Sequence, residues 1–132
     1  MSIELKLGYP DSTIQDLLDK PGTALQEYEK WLDQAEESAR NSGTPFWLII
    51  VQRTRRKALV ILSESLMNVL DHHDMPDPIP MCVMAIPRTG KTRRTTHLVV
   101  MQLESFLRFV SRARIEEVYT THFTEAVAGL SA

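Results

Sequence analysis

A chain of 132 residues fits one domain around one hydrophobic core, so a single domain over residues 1–132 is expected. Apolar residues at 43% and charged residues at 24% exclude a disordered body, and no run nears the roughly 18 apolar residues of a membrane helix. The net charge of −2 hides an asymmetry: residues 1–41 hold nine acids and four bases, residues 42–132 eight acids and eleven bases, so a phosphate-bearing partner suits the second part.

The opening Met1-Ser2-Ile3-Glu4-Leu5-Lys6 lacks the basic start and long apolar core of a signal peptide. A lone Cys82 agrees with a reducing cytosol and is expected as a buried thiol in an apolar strand. The expected location is cytoplasmic.

In chain order, Ile3-Glu4-Leu5-Lys6-Leu7 alternates at period two and reads as a strand with one buried face. Ser12 begins a short helical segment with Ile14, Leu17 and Leu18, ended by Pro21-Gly22. Thr23 to Arg40 is the clearest helix, capped by Thr23 with Gln26 at the box position. Its apolar stripe is Ala24, Tyr28, Trp31, Leu32, Ala35 and Ala39, and Asn41-Ser42-Gly43 stops it.

Phe46 to Val51 is a continuous apolar run, the mark of a strand covered on both faces. A basic turn leads to a second run, Ala58 to Leu62, and Ser63 caps a short helix with Leu66, Met67, Val69 and Leu70. Asp71 to Pro80, with three prolines and three aspartates, reads as a surface loop. The arrangement then returns: strand Met81 to Ile86, basic turn, strand His97 to Met101, and a helix from Leu103. Both passages read strand, basic turn, strand, helix, as a duplication or two hairpins under the same demands would. The last helix, Ile115 to Leu130, carries a stripe that suits the sheet, with a homodimer as the alternative.

The strand Ile3-Glu4-Leu5-Lys6, the segment Ser12 to Asp19, the helix with Trp31-Leu32-Asp33-Gln34-Ala35, and Gly43 through Val51 with the basic turn and Ala58 to Leu62 follow one another in a telling order. Over roughly residues 3–110 the chain resembles PD-(D/E)XK, resolvase-like endonucleases of phages and prophages. The resemblance implies an α/β fold, a mixed sheet of about five strands flanked by helices. It implies Glu4 as a metal ligand, Lys6 as the phosphate-facing lysine and Gln34 as a supporting site residue, with magnesium as the cofactor of an active enzyme. The family's metal-binding aspartate precedes Glu-x-Lys on an earlier strand, after a further helix. Only three residues precede Glu4 here, which reads as a truncated or degenerate member.

Arg53, Arg55, Arg56 and Lys57 fill the first basic turn; Arg88, Lys91, Arg93 and Arg94 fill the second. Two parallel hairpin tips of this kind would straddle a phosphate backbone, contacts that position without reading sequence. Solvated turns that suppress edge pairing are the alternative. Ala85 to Thr92 matches a relaxed phosphate-loop spacing, but a strand rather than a helix is expected after it. Asp71-His72-His73-Asp74 reads as solvated, and neither Ser63 nor Ser65 sits in a nucleophile elbow.

Two functions follow as expectations. One is a phage-type nuclease-fold protein, catalytically incomplete, that acts by binding nucleic acid or a host protein, with DNA or a host nucleoprotein complex as partner, as an inhibitor of a bacterial defence complex such as an anti-CRISPR would. The other is an active metal-dependent DNA endonuclease or resolvase using Glu4 and Lys6.

Overall fold

The structure is a computed structural model, and it describes residues 2–7, 18–19, 21–52, 55–70, 79–89 and 94–110. The fold is α/β, as expected: a mixed five-stranded sheet flanked by helices. The strands are β1 (Ser2–Leu7), β2 (Trp47–Gln52), β3 (Leu59–Ser63), β4 (Met81–Pro87) and β5 (Thr95–Gln102). The helices are α1 (Pro21–Asn41), α2 (Glu64–Leu70) and α3 (Leu103–Phe109). In the sheet the order is β1-β2-β3-β5-β4, with β1 parallel to β2 and the other neighbours antiparallel.

The 3.6-residue stripe of α1 and the continuous apolar runs of the central strands meet in two cores, whereas the apolar row of β1, expected on a buried face, is exposed because no described element covers that face of the edge strand. On one face α1 lays Tyr28, Trp31, Leu32, Ala35 and Ala39 against Trp47, Ile49, Val51, Ile61, Leu98 and Val100. On the other, Leu66, Met67 and Leu70 of α2 and Phe106 of α3 pack on Leu48, Val60, Leu62, Val99 and Met101. The central strands are therefore apolar at consecutive positions, because both of their faces are covered.

Helix α1 begins at Pro21, two residues before the expected Thr23 cap. A proline is tolerated in a first turn because its missing N–H would have no intrahelical partner there, so Pro21-Gly22 opens α1. The expected stop holds: Gly43 takes φ +69°, and the N–H groups of Gly43 and Thr44 donate to the carbonyls of Arg40 and Ala39. Ser63 caps α2, its hydroxyl accepting from the Leu66 N–H at 3.1 Å.

The two strand–turn–strand–helix passages, β2-β3-α2 and β4-β5-α3, are arranged about a local half-turn. Strands β3 and β5 pair Leu59 with Gln102, Ile61 with Val100 and Ser63 with Leu98. Ser63 and Gln102 each stand just before a helix, so a rotation through the Ile61–Val100 pair carries one passage onto the other.

Cys82 is exposed, not buried. It lies on β4, an edge of the described sheet, beyond the part of the sheet that α1 covers. The segment expected as a helix from Ser12 falls largely outside the described residues, as do the Asp71–Asp74 cluster and the expected helix from Ile115. Among the described residues no helix is long and apolar enough to cross a membrane.

Candidate functional site

Alternation along β1 turns Ser2, Glu4 and Lys6 toward α1 and Ile3, Leu5 and Leu7 to the opposite face. Along α1, Gln34 and Ser38 stand one turn apart on the side that borders β1. Two residues of strand span about 6.6 Å and four residues of helix about 6 Å, so the two pairs match in length. They meet in reverse order: the Ser38 hydroxyl donates to Glu4 Oε1 at 2.6 Å, and Lys6 Nζ donates to Gln34 Oε1. The structure thus places Glu4, Lys6 and Gln34, the three residues named from the resemblance, along the seam between β1 and α1. Ser38 was missed; its signal is its place four residues after Gln34 on the same helical face.

Each charged group keeps bonding capacity beyond its helix partner. A lysine ammonium has three N–H donors and one is used on Gln34; a carboxylate accepts at two oxygens and Ser38 uses one. The helix fixes a cation and an anion side by side on the edge strand, so Lys6 keeps donors that could meet a phosphate while Glu4 keeps an acceptor for a polar donor.

The magnesium implied by the resemblance fits this donor set poorly. Glu4 is the one carboxylate bonded within the cluster, and no group of three His, Cys, Asp or Glu side chains that could hold a metal occurs among the described residues. Magnesium sites of this kind rest on protein carboxylates that hold the ion beside a substrate phosphate, and a second one is missing from the described cluster.

The first basic turn lies at the same end of the sheet as Lys6, since Lys6 pairs with Val51 and Leu7 with Gln52 just before it. Arg55, with φ 61°, Arg56 and Lys57 are exposed, and the Gln52 side-chain amide donates to the Arg56 carbonyl at 3.1 Å, bracing the turn. Lys57 lies 3.6 Å from Glu104 in an exposed pair of little energetic weight.

The second turn does not join the first. Because β3 is antiparallel to β2 and β5, and β4 to β5, the two hairpins end at opposite poles of the sheet and their tips are not parallel. Arg88 is also not free to bind nucleic acid, which corrects the expectation from sequence. It is buried under α1, bonded to Asp33, to Glu36 at 2.8 Å and to the Thr96 hydroxyl at 3.1 Å. Burial works against its charge, but Glu36 and Asp33 outweigh that and hold the guanidinium above its ordinary value. Arg94 lies 3.4 Å from Glu36, and the Thr89 hydroxyl and N–H both donate to Glu29. Arg53, Lys91 and Arg93 lie outside the described residues.

A polar cleft of about 550 Å³ opens at the second pole, lined by Arg40, Ser63, Ser65, Asn68, Arg94 and His97 among others. Glu36 and Glu64 also line it, so its charges largely balance, and Glu4, Lys6, Gln34 and Ser38 are not among its lining residues. The segment that follows the relaxed phosphate-loop match is strand β5, which removes the helix such a loop requires. No protein-family model matches the chain, and neither a curated protein nor a solved structure matches it significantly.

Proposed function

We infer that this protein binds a nucleic-acid backbone at the Lys6 pole of the sheet, through a nuclease-like cluster that lacks the carboxylates for efficient cleavage. The observation that carries the reading is the reciprocal fastening of Glu4 by Ser38 and Lys6 by Gln34, at the pole where Arg55, Arg56 and Lys57 are exposed. Lysine and arginine donors at such a pole would contact phosphates and set position, not sequence. The protein would then act by occupancy, on DNA itself or on the nucleic acid of a host complex, as an inhibitor of a bacterial defence complex would.

The competing reading is a magnesium-dependent endonuclease or resolvase with Glu4 as ligand and Lys6 facing the phosphate. The Lys6–Gln34 contact speaks for it, and the lone carboxylate speaks against it. The deciding experiment incubates linear, branched and single-stranded DNA with wild type and Glu4→Ala, in magnesium and in manganese, and measures both binding and cleavage. Binding without cleavage in either protein supports the occupancy reading. Cleavage by wild type that disappears in Glu4→Ala establishes the enzyme instead, and absence of both removes nucleic acid as the partner.

A further inference from the structure

Strand β1 is an edge of the described sheet, with no described strand on its outer side. Its Ile3, Leu5 and Leu7 are 60%, 58% and 61% exposed, an unusual run of open apolar side chains on a sheet edge. Its opposite face carries Glu4 and Lys6, bonded to α1. The sequence of this strand is self-complementary about Leu5.

Two copies of β1 laid antiparallel about a two-fold axis normal to the sheet keep equivalent faces on the same side. Centred on Leu5, that pairing sets Glu4 opposite Lys6 of the second copy, Lys6 opposite its Glu4, Ile3 opposite its Leu7 and Leu5 opposite its Leu5. Every charge meets its opposite and every apolar residue meets an apolar one. A shift that centres Glu4 or Lys6 instead sets like charges face to face, and a shift of one residue sets charges against the leucines. Only the register centred on Leu5 sets both charges of each strand against their opposites.

We propose that β1 pairs with β1 of a second copy in this register, joining two five-stranded sheets into one across a two-fold axis. The pairing occupies the open N–H and C=O groups of the edge and brings the exposed apolar rows together. Each candidate site then receives a charged residue from the other copy, so the Glu4–Lys6 cluster becomes a shared feature of the dimer. The inference rests on the strand's pattern and not on nucleic-acid binding, so mass and DNA binding report on separate proposals.

The test is sedimentation of wild type and variants over a wide concentration range, with circular dichroism confirming the fold. Wild type is expected at twice the 15.1 kDa chain mass. Glu4→Lys and Lys6→Glu each replace two opposite-charge pairs by two like-charge pairs and raise the dimer dissociation constant about tenfold or more. The double exchange Glu4→Lys with Lys6→Glu restores the pairs and recovers the dimer. Leu5→Lys, at a position already exposed, sets two ammonium groups on the axis and gives monomer. A monomeric wild type overturns the proposal. So does a dimer that survives Leu5→Lys, one that Val83→Lys on the opposite edge disrupts while Leu5→Lys does not, or a double exchange no better than either single.

Discussion

Arg88 and Arg56 come from basic turns of similar composition, and their surroundings divide their roles. Arg88 has 7% of its side chain exposed and spans Asp33 and Glu36 of α1, 55 and 52 residues earlier in the chain. Removing it leaves a void and strips the bonds that hold the second hairpin to the helix; the carboxylates left behind are partly solvated, which limits the cost. Arg88→Ala should lose roughly 2–3 kcal/mol in urea unfolding while leaving DNA affinity unchanged once the protein is folded. Arg56→Ala, at an exposed position, should change stability by less than about 0.5 kcal/mol yet reduce the salt slope of DNA binding by about 1. The raised Arg88 pKa fixes the sign of its pH effect. A group whose folded pKa is raised contributes fully below its unfolded value and loses that contribution only as pH rises through the folded one. The stability gap between wild type and Arg88→Ala should therefore stay constant from pH 7 to about pH 10, measured by denaturation at both.

Helix α1 shows at the level of elements what local sequence carries. Its stripe from Ala24 to Ala39 is buried at the six positions that the 3.6-residue period selects, and the β2 run is buried on both faces. The capping of α2 by Ser63 was equally legible, because an N-cap is a local bond; Ser63→Ala should cost about 1 kcal/mol, read by thermal or urea unfolding. What local pattern does not carry is partnership across the chain. Arg88 looks like any turn arginine until Asp33 and Glu36 arrive beside it, and Cys82 looks like a core thiol until β4 proves to be an edge of the described sheet. For Ser38 the sequence shows only its place one turn after Gln34; its bond to Glu4 crosses 34 residues. Glu4 and Lys6 share a strand face by periodicity, but that Gln34 meets Lys6 across 28 residues is a tertiary relation that periodicity does not contain.

The local half-turn through Ile61 and Val100 governs the whole molecule, because it sends the two basic turns to opposite poles. Strands of five to eight residues separate those poles by roughly 20 Å, and the turns face away from each other. A single duplex segment can therefore engage one pole and not both. At the first pole stand Lys6, Arg55, Arg56 and Lys57, the last in an exposed pair with Glu104, with Arg53 adjacent in sequence. At the second, Arg88 is consumed by carboxylates and Arg94 leans on Glu36. Neutralising four or five phosphates on duplex DNA gives a slope of log affinity against log salt of about −4, whereas engaging all eight turn bases would give about −7. Binding titrations across a range of salt should give the shallower slope. Arg94→Ala should leave it in place, and Arg55→Ala together with Arg56→Ala should cut it by about 2. A slope near the steeper value, or one that Arg94→Ala reduces, would mean that nucleic acid wraps both poles, and the Lys6 end would no longer be the binding surface on its own.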